Sequence, residues 1–343
     1  AALADLKAKL NMGTYVEPSQ ETLAQYAPKA LARRSITGTG LKATTAATYQ
    51  RYVEQDIAPS RLGEMKLTDI RRSHVNAWVA ELAATRGAVT VRRALATLQM
   101  ILSAAVREEI IPANPARNID KPTVPDHPVT AWEPEHVGEF FDRAGRHRLG
   151  PLLELAVLTG LRRGEITGLH WSDVDLVGRE IVVRHNRVSV DGRVQETTTK
   201  TRSGRRTLPR RLSGCLLTWQ LRQAEDREAA QEAWQTHGHV FTMEDGRALD
   251  PAYVTRLFQK LRRQGEPLPD LDFHGLRHCY ASLMIDAGAD ISIVSKLLGH
   301  SSISVTADIY AHMLKAVGQR AVDGVAERIA HTTGCERLKW AWI

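Results

Sequence analysis

The side chains in this chain that could do chemistry sit in a few short stretches. Thr159-Gly160-Leu161-Arg162-Arg163-Gly164-Glu165 lies mid-chain. His274-Gly275-Leu276-Arg277-His278, then Leu298-Gly299-His300-Ser301-Ser302-Ile303, then Tyr310 follow towards the C-terminus. An arginine grips an anion with a planar fork of N–H groups and keeps its charge. A histidine can move a proton near neutral pH. A tyrosine offers a phenolic nucleophile. A phosphodiester under attack becomes more negative, so fixed cations at its non-bridging oxygens give the largest help. Its leaving oxygen needs an acid. A phenoxide is also a good leaving group, which makes the covalent step reversible. Two arginines, two histidines and a late tyrosine thus suggest a phosphate-gripping site able to cut and rejoin a phosphodiester strand.

Each of these residues has an ordinary structural reading as well. Arg162 follows Thr159-Gly160 after the apolar run Leu152 to Leu158, where a charged side chain serves as a cap or surface group. His274 and Arg277 lie about one helical turn apart, so both can face one point. His300 after Gly299 reads as a helix-end residue. Tyr310 by itself reads as a half-buried core residue. The order in which the pieces occur is what outweighs these readings.

That order resembles the tyrosine recombinase family, and phage-type integrases in particular. The family order is Thr-Gly-x-Arg, a hairpin lysine, His-x-x-Arg, Leu-Gly-His and a tyrosine about ten residues later. Every element is present, and the resemblance spans about residues 41 to 330. It implies that Tyr310 is the nucleophile and forms a 3′-phosphotyrosine. It implies that Arg162 and Arg277 clamp the scissile phosphate and that His300 hydrogen-bonds a phosphate oxygen. His274 would assist proton handling at the tyrosine. Lys200 would be the general acid for the 5′-oxygen, within Thr199-Lys200-Thr201-Arg202-Ser203-Gly204-Arg205-Arg206. Relatives often carry Pro-Lys-Thr-Lys-Ser here, so Arg202 stands as the alternative. Lys200 is preferred because a lysine can give up a proton and an arginine effectively cannot. Glu165 would order the arginine region rather than touch DNA. Cys279 stands where relatives commonly carry Thr, and keeps the residue small.

The elements that must position these groups are mostly helical. From 41 to 118 the pattern is all helix. Helices are expected from Thr44 to Asp56, after a Ser73 cap, and after a Thr90 cap, with Val91, Leu95, Leu98, Leu102 and Ala105 on one stripe. Pro28 is expected to interrupt an earlier helix that starts near Thr22. Pro122, Pro125 and Pro128 mark an extended linker over 119–130. A larger domain over 131–330 carries one strand-rich insert. Glu180 to Val190, the turn Asp191-Gly192 and Val194 to Thr201 form a hairpin, with a short strand at Thr207 to Pro209. The fold class is mainly α with a small β-hairpin or sheet insert. In the family's terms this is a helical core-binding domain (41–118) joined to an α+β catalytic domain (131–330). A tail covers 331–343. The segment 1–40 reads as a remnant of, or lead-in from, an arm-binding domain, because Gly13 to Pro18 resembles the end of that region and only Ala1 to Met12 precede it.

The chain has 343 residues and a formal net charge of +7, with a pI near 9.4. That balance favours a polyanionic partner. The resemblance implies that this partner is double-stranded DNA. Arg92, Arg93, Arg202 and Arg205 are candidate phosphate contacts, although a solvated helix face explains the first two equally well. Cys215, Cys279 and Cys335 form no CxxC pair, so neither a disulfide framework nor a cysteine-rich zinc site is expected. His237 and His239 lack sequence neighbours at metal-ligand spacing. The expectation is no metal, no cofactor, no membrane span and a cytoplasmic, nucleoid-associated protein. The resemblance further implies a tetramer on two DNA duplexes, a helical stretch Ala316 to Ile329 passed to a neighbouring protomer, and an excision factor or host DNA-bending protein as accessory partners. Two rival readings are a type IB topoisomerase and a catalytically silent DNA-binding regulator of the same fold. The Leu-Gly-His motif argues against the first and the intact residue set against the second.

Overall fold

A computed structural model describes residues 20–36, 40–125, 131–190, 192–198, 204–300 and 302–333. The chain divides into two compact units, Ala1–His127 and Pro128–Ile343. Both are predominantly helical, and the second carries two small antiparallel sheets.

The first unit comprises α1 (Leu23–Ile36), α2 (Ala43–Tyr52), α3 (Arg61–Glu64), α4 (Arg72–Thr85) and α5 (Ala88–Arg107). Helix α5 is its central element. Val91, Leu95, Leu98, Leu102 and Ala105 recur every three or four residues and are fully buried. Arg92 and Arg93 lie off this stripe and are exposed. By length and composition α5 could cross a membrane. Its apolar stripe is instead the core of this unit, packed with Leu23, Ile57, Leu67 and Val75.

Three local expectations are corrected here. Pro28 lies inside α1 and does not end it. Proline gives up one helical hydrogen bond, but Leu23, Tyr26, Ala27, Ala30 and Leu31 bury one face on both sides of it. Helix α4 begins at Arg72 rather than after Ser73, with His74 Nδ1 accepting from the Arg71 amide at 3.1 Å. Helix α5 begins at Ala88 after Gly87, ahead of Thr90.

The second unit begins with α6 (Pro134–Ala144), α7 (Gly150–Thr159) and α8 (Arg163–Thr167). The strands are β1 (Val174–Asp175), β2 (Glu180–Val182), β3 (His185–Val190), β4 (Arg193–Thr198) and β5 (Arg205–Thr207). Then come α9 (Arg210–Ala230), α10 (Pro251–Arg262), α11 (Gly275–Asp286), α12 (Ile291–Leu298) and α13 (Ile303–Thr333). The stretch expected as one strand over 180–190 is two. Strand β2 joins β1 and β5 in the order β1-β2-β5, while β3 pairs with β4 alone. The short last strand is Arg205–Thr207 rather than 207–209. In the β3–β4 hairpin Arg187 faces Glu196 and His185 faces Thr198.

Helix α7 is apolar on nearly every side and is buried accordingly. Trp132, Phe140, Phe258 and Phe273 form tilted and edge-to-face ring contacts at 5.3–5.8 Å between centroids. Trp219 of α9 is buried and donates from Nε1 to the Val240 carbonyl at 2.5 Å. The hairpin lies directly on the short helix α8. A Cβ at Gly164 would strike the Asn186 side chain and the Arg187 carbonyl, so only glycine lets β3 approach this closely.

Leu98→Ala in the α5 stripe should destabilise the first unit by roughly 2–5 kcal/mol, since a buried leucine leaves a cavity. Faster amide hydrogen exchange along 88–107, with exchange in the second unit unchanged, would report it.

Candidate active site

The site is assembled where three helices end or begin. Helix α7 ends at Gly160, whose φ of 61° is left-handed. A side chain there would also press into Tyr280 Cδ1, 2.8 Å from an added Cβ. Helix α12 likewise ends at Gly299 with a φ of 68°. Helix α11 starts just after His274. These ends leave carbonyls without helical partners, and Arg277 takes two of them. Its Nη1 donates to Gly160 O at 2.7 Å and its Nη2 to Leu298 O at 2.6 Å. Only 3% of Arg277 is exposed. Burial first, and then the charge of Arg162, push its guanidinium down to about 10.

Arg162 occupies the cap position of α8. Its backbone N–H donates to Glu165 Oε2 at 2.9 Å and its Nη1 to Glu165 Oε1 at 2.8 Å. Glu165 thus orients Arg162 while nearly half of the arginine side chain stays exposed. A third arginine, not among the candidates that the sequence suggests, joins the cluster. Arg206 of β5 is 4% exposed and donates from Nη2 to Leu298 O at 3.1 Å, the carbonyl that Arg277 also uses. Burial lowers its pKa, Glu165 opposes that and Arg162 adds to it. The signal for Arg206 was its place in the basic run 202–206, but nothing in the sequence separated it from its neighbours.

Tyr310 lies within α13, at a break where its φ is −110° and ψ is 18°. It is 1% exposed and packs with Ala281, Ile285, Val294 and Leu298. Its hydroxyl is 2.8 Å from His278 Nδ1. Burial raises the phenol's pKa, and Arg277 works against that rise. The imidazole on the tyrosine is therefore that of His278, not of His274. His274 stacks edge-on against His278, ring to ring at 5.1 Å. Both imidazoles are held below the usual histidine value, His274 by desolvation and then Arg277, His278 by desolvation and then His274. His278 follows Arg277 directly, and that adjacency was the one hint available in the sequence.

His300 Nδ1 is 2.7 Å from the hydroxyl of the buried Thr306. Burial, then Arg277 and Arg162, push His300 down to about 4. All three of these imidazoles are thus biased towards the neutral form, with the arginine cluster adding to burial. Cys279 is buried, and its sulfur accepts from the Trp132 amide at 3.1 Å. It serves packing. Lys200 and Arg202 lie outside the described residues. Arg205 is exposed on β5 and pairs with Glu180 at 3.2 Å. Arg92 and Arg93 belong to the other unit.

The arrangement can hold a dianionic phosphorus centre by Arg162, Arg277 and His300 and can take a proton from Tyr310 through His278. Similar proteins carry the same fold. A tyrosine recombinase XerC-like protein of Caldanaerobacter subterraneus subsp. tengcongensis is 29% identical over 304 residues, 82% of this chain and 77% of that protein. The ICEBs1 integrase of Bacillus subtilis is 26% identical over 269 residues, 76% of this chain and 69% of that protein. The Tn1549 transposon integrase, solved in complex with transposon right end DNA, matches with a TM-score of 0.74 at 19% identity. That match covers 89% of this chain and 100% of the other. A lambda integrase tetramer bound to a Holliday junction matches at 0.60 and 20% identity, covering 87% and 81%. The profile of the phage integrase family matches residues 138–316, more than half of the chain and nearly all of the cluster just described. The chain belongs to the phage integrase family and is a tyrosine site-specific recombinase.

Proposed function

We propose that this recombinase cuts and rejoins DNA strands through a 3′-phosphotyrosine at Tyr310, in the integration and excision of a mobile element. The observation that carries the reading is the anchored Arg277 guanidinium in one cluster with Arg162, His274, His300 and Tyr310. Two carbonyls hold its plane, and the remaining N–H groups of its fork are left for phosphate oxygens. Arg162, steered by Glu165, supplies the second clamp and His300 a further hydrogen bond. The Tyr310 oxygen attacks phosphorus, and its proton passes to His278 Nδ1. The bond from phosphorus to the 5′-oxygen breaks, and Lys200 gives that oxygen a proton. The reverse attack by a free 5′-hydroxyl restores the DNA and releases the tyrosine. His274 supports this proton path through its contact with His278.

Tyr310 is buried, so the attack requires the tyrosine to emerge, and the break in α13 at Tyr310 is the joint about which this happens. Duplex DNA is the substrate, in keeping with the DNA-bound integrases that share this fold. Arg92, Arg93 and Arg205 contact the phosphate backbone, and the first unit, 41–118, grips the core site. The working form is a homotetramer on two duplexes, in keeping with the lambda integrase tetramer bound to a Holliday junction. The mobile-element role is supported by the integrases among its relatives. An excision factor or a DNA-bending protein of the host sets the direction.

Tyr310→Phe should abolish covalent attachment to a nicked suicide substrate while binding stays within a few fold. Continued attachment in that variant, read as a shifted protein–DNA band, would remove Tyr310 from the role of nucleophile.

Lys200→Ala should slow cleavage of ordinary DNA by about 10²–10⁴-fold, the usual worth of a positioned acid. A substrate with sulfur at the bridging 5′ position leaves without a proton, so the variant should cleave it at close to the wild-type rate. If Arg202→Ala rather than Lys200→Ala is rescued by sulfur, the acid is misassigned.

DNA affinity should fall steeply with salt, with a log–log slope of about −0.9 for each phosphate neutralised. Replacing Arg92 and Arg93 by Ala should flatten that slope by about 0.9 for each phosphate that then goes unneutralised. An unchanged slope in filter binding would leave them a solvated helix face.

A further inference from the structure

At the base of the β3–β4 hairpin three histidines surround one carboxylate. His170 and His239 face each other across a short antiparallel bridge. Backbone bonds from Trp171 N to Gly238 O at 3.0 Å and from Val240 N to Leu169 O at 2.8 Å hold that bridge. Their rings stack at 4.3 Å, and the His185 ring lies 4.6 Å from His170 on the other side. All three point a nitrogen at Glu196 of β4. His170 Nε2 is 3.1 Å from Oε1, His185 Nδ1 is 3.2 Å from Oε1, and His239 Nε2 is 2.9 Å from Oε2. The ligand atoms of His170, Glu196 and His239 all lie within 4.8 Å of one another.

We propose that His170, His185, His239 and Glu196 form a zinc site that fastens the β3–β4 hairpin to the body of the second unit. Three imidazoles and a carboxylate are the donor set that suits Zn²⁺ among the divalent ions. Tetrahedral zinc with bonds of about 2.0–2.1 Å needs ligand atoms about 3.3 Å apart; His170, Glu196 and His239 are within 4.8 Å of one another, and His185, outside that group, must turn inwards to be the fourth ligand. The outer groups fit as well. The other nitrogen of His185, Nε2, lies 4.0 Å from Asp173 Oδ2, a buried oxygen with no hydrogen-bond partner among the described residues. A carboxylate behind a ligating imidazole is the usual second partner at zinc. Metal at Nε2 of His170 and His239 places each ring proton on Nδ1; that of His239 is buried without a hydrogen-bond partner among the described residues, which weakens the site.

One group opposes the ion. The Arg187 guanidinium is 3.5 Å from His239 Nε2 and 3.6 Å from Glu196 Oε2. Zinc displaces it from that position, and its charge weakens the site. The site's existence is independent of the proposed reaction. Its consequence rests on that reading, because β4 ends at Thr198 and the chain then runs directly to Lys200. A clasp on Glu196 fixes the end of β4, two residues before the proposed acid in sequence.

The test uses the full chain stripped with a chelator and titrated with Zn²⁺ by calorimetry and with Co²⁺ by absorption. One saturable Zn²⁺ site and the visible bands of tetrahedral Co²⁺ are expected. Glu196→Gln and His239→Asn should each weaken binding by about 10-fold or more, and Arg187→Gln should tighten it. Glu196 is exposed, so its variant tests the site even where His239→Asn unfolds the chain. No saturable uptake, equal affinity in Glu196→Gln, or a cobalt–thiolate band that places the ion on a cysteine would each overturn the site. DNA cleavage is not needed for any of these readings, so a failed zinc site leaves the role of Tyr310 standing, and the reverse.

Discussion

The second unit depends on one buried cation. A guanidinium that is 3% exposed is costly to desolvate unless its donors are met and its charge is balanced. Arg277 is met by the carbonyls of Gly160 and Leu298, which stand at the C-terminal ends of α7 and α12. Those are the negative ends of two helix dipoles. The same two carbonyl ends exist because each helix closes on a left-handed glycine. Three helices are thereby fixed around one planar group. Arg206 from β5 shares the Leu298 carbonyl, so the small sheet is tied to the same point. Glu165 supplies an opposing negative charge and orients Arg162.

The arginine cluster also sets the electrical state of its neighbours. His274, His278 and His300 lie in a field of fixed positive charge, and each is held towards its neutral form. A neutral imidazole can accept a proton, which an imidazolium cannot. Tyr310 meets the opposite demand. Packed with Ala281, Ile285 and Val294, its phenol keeps its proton, and the side chain that would do the chemistry is also a core residue. Under the proposed mechanism one residue would serve both ends, at the point where α13 already breaks.

Much of this was legible in the chain. The hydrophobic stripe of α5, the helical bias of both units and the β insert follow from periodicity and turn residues. Arg162, His274, Arg277, His300 and Tyr310 were singled out by their order along the chain, whereas Arg206 and His278 were not. Boundaries were less legible. Pro28 was expected to stop α1, and a buried face on both sides of it prevailed. The stretch 180–190 was expected as one strand, and two sheets divide it. His239 was set aside for want of ligands nearby in sequence, yet His170 and Glu196 meet it from two separate segments.

The sequence by itself determined which groups are available: the arginines, the imidazoles, the tyrosine and the glycines that end the helices. Side-chain chemistry and local backbone freedom are properties of residue type, so they can be read without a fold. Only the tertiary structure decided that His278 rather than His274 touches Tyr310, that Arg206 is buried beside Arg277, and that three histidines converge on Glu196. Those contacts join residues tens of positions apart, and hydrogen bonds and burial act through a few ångströms of space, whatever the distance along the chain.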